Sequence, residues 1–359
     1  MPASGPKPSL LPSMRIRGLR TDKGRRMADD SRWIELWAIA DLTTPMAVRV
    51  AATLRIADIV SKGLSTTAQL AEASGTDQDA LDRVLRHLTS VGLLDRDDSD
   101  RFSLTELGDL LLDDHPAGMR RRLDIEGAIG RADLSFVELL HTVRTGGAAY
   151  PARFGRTFWE DLSLDAELSR SFDVLMGADV AAEAPAIVAA FDWGSLGHVV
   201  DVGGGNGSLM IALLTAFPTL RGTVVDLPGA TAAARQHLAA AGLAERAEVV
   251  AGSFFDPLPS GADGYLLSAI IHNWDDDAVR TILRRCAQAA DRRGAVFVVE
   301  RIAADGTSLS SARDLRMLAY FGGRERSLAE IAALAAESGL QVVAIHPAAP
   351  NAIVELAPR

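Results

Sequence analysis

Residues 198–208 read His-Val-Val-Asp-Val-Gly-Gly-Gly-Asn-Gly-Ser, and an acid, Asp226, ends the next apolar stretch at 222–225. Glycines let a backbone turn sharply and approach a ligand with no Cβ in the way. An acid at the end of a second strand can accept from both hydroxyls of a ribose. Together these residues predict a site for an adenosine-type cofactor. A second cue lies downstream. His272 follows the apolar run 265–271 and precedes Asn273, Trp274 and three aspartates. His87, His141 and His237 fall in helical runs, and His198 opens a strand at the opposite edge, so His272 is the histidine placed at the expected ligand edge. An imidazole with a pKa near its usual value of about 6.5 is mostly neutral at pH 7 and can accept a proton. The aspartates 275–277 suit a helix N-terminus, where acids complement the macrodipole, better than a metal site.

The glycine loop has two readings. The nicotinamide fingerprint needs a third glycine three residues after the second, and from Gly205 that position is Ser208. The spacing is instead Asp201-x-Gly203-x-Gly205-x-Gly207, which resembles the first motif of class I S-adenosylmethionine (SAM) methyltransferases. A bland glycine-rich turn is the plain alternative.

These residues need a sheet to position them. From His198 onward strands and helices alternate, which argues for a parallel sheet covered by helices on both faces. The expected strands are 199–202, 222–225, 247–251, 264–270 and 295–300, with a closing hairpin at 340–346 and 351–356. Ligands of such sheets bind at the carboxyl ends of the strands. That edge holds Asp226, Ser253 and Phe254, the segment from Ser268 to Trp274, and Glu300. Earlier in the chain, residues 31–61 read as helices interrupted near Pro45. Thr66 to Gln69 and Thr76 to Asp79 read as helix starts, each with a hydroxyl at the cap and a polar acceptor three residues on. Leu81, Val84, Leu85 and Leu88 share one helical face, and 93–96 and 101–104 read as a hairpin. Helix, helix, hairpin is a winged-helix unit. Its second helix carries Asp77, Asp79 and Asp82 against Arg83 and Arg86, whereas a groove-reading helix is clearly basic; a scaffold or dimerisation role fits better than DNA binding.

The chain of 359 residues is long enough for two domains. Its formal charge of −10 argues against a sequence-independent grip on nucleic acid. Hydrophobic residues make up 48%, enough for a sizeable core. Cys286, the single cysteine, reads as a small core residue, and no intrachain disulfide can form, as in a reducing cytoplasm. No Cys/His cluster suggests a metal, no run of about 18 apolar residues suggests a membrane span, and residues 1–30 read as a disordered tail without a signal-peptide block.

Residues 271–276, Ile-His-Asn-Trp-Asp-Asp, resemble the His-Asp-Trp-x-Asp segment of the plant-type small-molecule O-methyltransferases. Residues 314–318 and 322–327 match two further motifs of that family. Residues 44–49 and 252–259 are most similar to its actinobacterial branch, which methylates aromatic polyketides including naphthoates and anthracyclines. The resemblance spans about Ile39 to Leu356. It implies an α/β fold: a class I methyltransferase Rossmann-like domain with an all-helical, winged-helix N-terminal dimerisation domain. The corresponding divisions are a tail at 1–30, a winged-helix dimerisation domain at 31–115, a helical linker lining the substrate pocket at 116–190 and the SAM-binding domain at 191–359. A cytoplasmic homodimer acting on a small aromatic substrate, with no nucleic acid, membrane or metal, is the implied setting.

By the same resemblance His272 is the general base, flanked by Glu300 and Glu325. The candidate cofactor contacts are Asp201, Gly203, Gly205, Asp226, Leu227, Ser253, Phe254, Ser268 and Trp274. The candidate acceptor contacts are Phe158, Trp159, Phe172, Met176, Asn273 and Met317; ordinary core packing is the plain alternative for Phe172, Met176 and Met317. Three positions depart from the family pattern: Ser268 stands where plant enzymes carry Lys, Ser253 where many members carry Asp, and Asn273 where Asp usually follows the base. Two rival functions remain on the sequence: a winged-helix transcriptional regulator, and a SAM-binding relative repurposed for hydroxylation.

Overall fold

Short runs rich in Val, Leu and Ile form buried parallel strands, and five such runs make the centre of the sheet in the computed structural model, which describes residues 32–302 and 310–359. The expected tail at 1–30 lies outside the described residues. By compactness the chain divides into Met1–Thr43 and Thr44–Arg359. In the first unit the described helix is Arg32–Ala40, which buries none of its residues.

The second unit begins with helices Thr43–Thr53 and Ile56–Ser61. Pro45 does not interrupt a helix, as the sequence suggested; it sits in the first turn of Thr43–Thr53, where its missing N–H has no intrahelical role. Thr66 caps helix Thr67–Ser74 with the expected capping box to Gln69. The next helix, Gln78–Ser90, is capped by Asp77 rather than by the hydroxyl of Thr76, because the Asp77 carboxylate accepts from the Ala80 amide. Leu81, Leu85 and Leu88 are buried on one face of it. Strands β1 (Leu94–Arg96) and β2 (Phe102–Leu104) form the hairpin. Arg83 and Arg86 pair with Asp79 and Asp82 on their own helix, at 2.6 and 2.9 Å.

The main sheet contains β3 (His198–Val202), β4 (Arg221–Asp226), β5 (Ala247–Ala251), β6 (Gly264–Ser268), β7 (Ala295–Glu300), β8 (Leu340–Ala348) and β9 (Asn351–Pro358). Their spatial order is β5-β4-β3-β6-β7-β9-β8. The first five are parallel, and β9 runs antiparallel between β7 and β8. The chain leaves β3 toward β4 on one side and returns as β6 on the other. This reversal opens a crevice at the carboxyl ends of β3 and β6, so the glycine loop and the His272 segment become neighbours. Strand β6 is shorter than the expected 264–270. Ala269 has φ +56°, a left-handed conformation rare for a residue with a Cβ, and turns the chain into the single 3-10 turn Ile271–Asn273.

Two features tie the helical region to this sheet. Asp133 accepts from Arg49, Arg316 and Tyr320, joining three helices. The 25-residue helix Ala166–Ala190, capped by Asp165, passes over the glycine loop; a Cβ at Gly177 would lie 2.5 Å from Asn206 Nδ2. Cys286 is buried, as its helical setting suggested, and its thiol is pushed up to about 12 by burial. Among the described residues no helix is long and apolar enough to cross a membrane, and no group of three or more His, Cys, Asp or Glu could hold a metal ion.

Candidate active site

At the end of β3 the chain enters a loop whose backbone only glycine adopts without strain: Gly203, Gly205 and Gly207 have φ of +77°, +55° and +79°. A Cβ at Gly203 would lie 2.5 Å from Ile270 Cδ1 and 3.4 Å from the Phe254 ring. Asp226, at the tip of β4, receives the Gly205 amide at 2.8 Å and the Leu227 amide at 2.6 Å. Its carboxyl is raised by burial, against the lowering effect of these two amides. Asp201 is 2% exposed, its Oδ2 has no hydrogen-bond partner, and burial followed by repulsion from Asp226 pushes its carboxyl up to about 7. A buried oxygen without a partner beside a glycine-rich loop suits a polar ligand that donates to it. SAM, with an ammonium and a sulfonium, fits this chemistry. Ser253 accepts from the Phe255 amide at 3.2 Å, and Ser268 ends β6 half-buried.

Beside this loop stands His272, 7% exposed. Its Nδ1 lies 2.6 Å from Oε2 of Glu300, itself 5% exposed at the end of β7. The other Glu300 oxygen accepts from the Ile271 and His272 amides at 3.1 and 3.4 Å. An ionised carboxylate only accepts, so opposite such a carboxylate Nδ1 is the donor of this bond. Among the described residues nothing hydrogen-bonds Nε2. Glu325, expected to flank the imidazole, has its side chain engaged elsewhere: it pairs with Arg313 at 2.5 Å while its amide donates to Asp314. The structure thus joins one of the two expected glutamates to His272.

The backbone around His272 is held from the far end of the domain. Arg326, almost wholly buried, donates to the carbonyls of Ile271 at 2.6 Å and Trp274 at 2.8 Å and pairs with Asp276 at 2.7 Å. The Arg324 amide donates to the His272 carbonyl at 3.0 Å. Gly323 approaches so closely that a Cβ would lie 2.2 Å from that carbonyl oxygen. Asn273 is turned back toward β6, donating to the Ala269 carbonyl at 3.3 Å.

Aromatic rings form the remaining wall. Trp159 stacks near parallel on both Trp274 and Phe321, with centroids 6.2 and 5.2 Å apart, and meets Phe172 edge-on. Its Nε1–H is buried without a hydrogen-bond partner. Phe158 is only 1% exposed; its surface is spent on Tyr150, Trp159, Phe172 and Phe321, so it backs the wall rather than facing a ligand. Met176 follows Phe172 by one turn, and Met317 is buried on helix Ser311–Phe321. Sequence reasoning missed Phe321, Arg326, Gly323 and the strained Ala269. Arg326 and Gly323 lie inside a quoted motif, and a charged residue between two expected buried elements was the available signal.

Comparison with known proteins gives the family. Residues 136–341 match the O-methyltransferase domain and residues 37–114 the O-methyltransferase dimerisation domain. The chain belongs to the O-methyltransferase family, and it is a SAM-dependent enzyme. It is 56% identical, over 90% of its length and 97% of the relative's, to 2,7-dihydroxy-5-methyl-1-naphthoate 7-O-methyltransferase of Streptomyces carzinostaticus. It is 47% identical to aclacinomycin 10-hydroxylase RdmB of Streptomyces purpurascens, over 84% of this chain and 82% of that one. The crystal structure of NcsB1, an O-methyltransferase from neocarzinostatin biosynthesis, in complex with SAM and 2-hydroxy-5-methyl naphthoic acid superposes with a TM-score of 0.87 at 55% identity, covering 90% of this chain and 98% of that one.

Proposed function

We propose that this enzyme methylates a phenolic hydroxyl on a fused aromatic acid of the hydroxynaphthoate type, with His272 as the general base. The observation carrying the base assignment is the buried His272–Glu300 pair at 2.6 Å, set beside the glycine loop. A phenol has a pKa of about 10, so roughly a thousandth is ionised at pH 7. His272 Nε2 takes the hydroxyl proton, and Glu300 holds the imidazole in the required tautomer and stabilises the imidazolium that forms, as the acid does in a serine-protease triad. When bound, SAM supplies a methyl group already activated by its sulfonium. Asp226 accepts from the ribose hydroxyls, Gly203 and Gly205 give the backbone close approach, and Asp201, Leu227, Ser253, Phe254, Ser268 and Trp274 complete the surround. The remaining contribution of the chain is positioning. Trp159, Phe172, Met176 and Met317 wall the acceptor, with Phe158 behind them and Asn273 beside the base; the unpartnered Trp159 N–H suits an oxygen on the acceptor's ring. The naphthoate relatives support this acceptor class. The hydroxylase among the relatives supports one competing outcome, and turnover separates the two. Incubation with SAM and a panel of hydroxynaphthoic acids is expected to give a product heavier by one methylene and an equal amount of S-adenosylhomocysteine; an oxygenated product without S-adenosylhomocysteine would overturn the reading.

The functional unit is a cytoplasmic homodimer. Trp33, Leu36, Trp37 and Ile39 stand exposed on the Arg32–Ala40 helix, which runs into the matched dimerisation domain beginning at residue 37. Light scattering at micromolar concentration should give twice the chain mass, and a monomer mass would sink the idea. The winged-helix unit reads no DNA, because Arg83 and Arg86 of its second helix are paired with Asp79 and Asp82 on the same helix; selection on random duplexes should enrich no defined site.

A further inference from the structure

Asp173 belongs to no motif, yet it stands at the cofactor end of the site. It follows Phe172 on helix Ala166–Ala190, and its carbonyl accepts from Asn206 Nδ2 at 3.3 Å. One turn further on, Gly177 brings the same helix against Asn206, where a Cβ would intrude to 2.5 Å. The helix is thereby fastened to the glycine loop, with Asp173 at the fastening point. Asp173 and Gly177, one turn apart, thus share the helix face that meets the loop, and the carboxyl of Asp173 is half-buried there; the charged groups that act on it are Asp226, at the end of β4, and His237, on helix Pro228–Ala240. Burial and then repulsion from Asp226 raise it to about 6, opposed by His237. Asp201 adds a third acid. Its Oδ2 is buried and unpartnered, and it points at the loop, since a Cβ at Gly204 would lie 2.6 Å from it. Among the described residues no Lys or Arg pairs with any of the three. The cluster is short of positive charge, and the orphan oxygen shows where a ligand would supply it.

We propose that Asp173 is a cofactor-selecting residue which, with Asp226 and Asp201, forms an anionic cradle that favours the cationic methyl donor over the neutral thioether product. This rests on the SAM assignment and extends it. SAM carries an ammonium, a carboxylate and a sulfonium, for a net charge of +1; S-adenosylhomocysteine has lost the sulfonium charge and is neutral. Both have the same ribose and amino-acid groups, so hydrogen bonds alone do not separate them. Carboxylates that repel one another do separate them, because the donor brings one more positive charge than the product and relieves the repulsion further. The donor also favours the ionised form of Asp173, so its affinity rises with pH through the range in which that carboxyl loses its proton.

Calorimetric titration of the whole protein with SAM and, separately, S-adenosylhomocysteine between pH 5 and 8 tests this. Asp173→Asn keeps size and shape, and a melting curve confirms that it folds. At pH 7.5 the variant should bind SAM about tenfold more weakly, the scale of one pK unit, and the product less than about threefold more weakly. The rise in SAM affinity from pH 5 to 7.5 should flatten in the variant. Equal weakening of both ligands would assign Asp173 a role in shape and overturn selection by charge. Unchanged SAM affinity would remove it from the site. A wild-type protein that binds neither ligand would bring down the cofactor assignment itself, a result distinguishable from the other two.

Discussion

The glycine loop after β3 and the His272 turn after β6 lie side by side but are held by different means. The loop is fixed chiefly by its own backbone: five consecutive residues, 203–207, three with positive φ, steadied by one carboxylate on β4, Asp226, that receives the Gly205 amide. The His272 turn is fixed from outside. Glu300 comes from the next strand, while Arg324 and Arg326, with Gly323 packed close, come from a segment about 50 positions away and hold the carbonyls of Ile271, His272 and Trp274. The loop needs a conformation, which glycine supplies locally; the turn needs a direction for one imidazole, which no local sequence supplies. The two should therefore fail differently when altered.

The sharpest break is at the proposed base. His272→Ala should slow methyl transfer by about 10²- to 10⁴-fold, the usual contribution of a positioned base, while SAM affinity stays nearly intact. The loss should shrink as pH approaches the phenol's own pKa, where bulk ionisation supplies the nucleophile; single-turnover rates across pH test both points, and a fully active variant at neutral pH would remove His272 from the chemistry. On the loop side the order reverses. Asp226→Ala should weaken SAM binding by about 1.5–3 kcal/mol, typical of a charged hydrogen bond, with calorimetry as the readout. Glu300→Gln should lower the transfer rate by about 10- to 100-fold, the scale of losing an orienting partner, because an amide can present a donor to Nδ1 and favour the wrong tautomer. Glu325→Gln sharpens the comparison further. Its partner is Arg313, so it should lower the melting temperature while changing the rate by less than about threefold; a rate loss equal to that of Glu300→Gln would mean the two acids share the orienting role.

The smallest effect concerns pH and the empty site. Asp201 and Asp173 are raised in the folded chain to about 7 and about 6, above the value of about 3.9 in an unfolded chain. The folded state therefore holds more protons than the unfolded state between these values. Stability from these two groups is present below about pH 4 and is lost as pH rises toward 7. The rise in melting temperature caused by SAM should accordingly be larger at pH 7.5 than at pH 5.

The loop side was the more legible in sequence. Gly203, Gly205, Gly207 and Asp226 announce their roles because each acts through its own backbone or its place at a strand end. All five parallel strands and the closing hairpin were also readable from their apolar runs. The His272 side was legible in its chief residue and in Glu300, which ends a recognisable strand. Its wiring was not. Whether Glu325 turns toward His272 or Arg313 depends on how the segment after helix Ser311–Phe321 folds back against that helix, and nothing in residues 322–327 records that choice. Similarly, the end of β6 at Ser268 rather than 270 depends on Ala269 adopting a left-handed conformation, which alanine does not advertise. Phe158 looks like a ligand contact by type and position, and only packing shows that four other rings cover it.

Asp133 has a consequence for building chimaeras. It gathers Arg49 from the helix Thr43–Thr53 with Arg316 and Tyr320 from Ser311–Phe321, and the residue after Tyr320 is Phe321, which stacks on Trp159. The helix Thr43–Thr53 and the ring wall proposed for the acceptor therefore share one anchor across sequence separations of 84 and 187 positions. A hybrid joining the front of this enzyme to the back of a relative inherits a working acceptor wall only if Arg49, Asp133 and Tyr320 travel together, so the seam for exchanging acceptor preference is set by this triple and not by the boundary between the two matched domains.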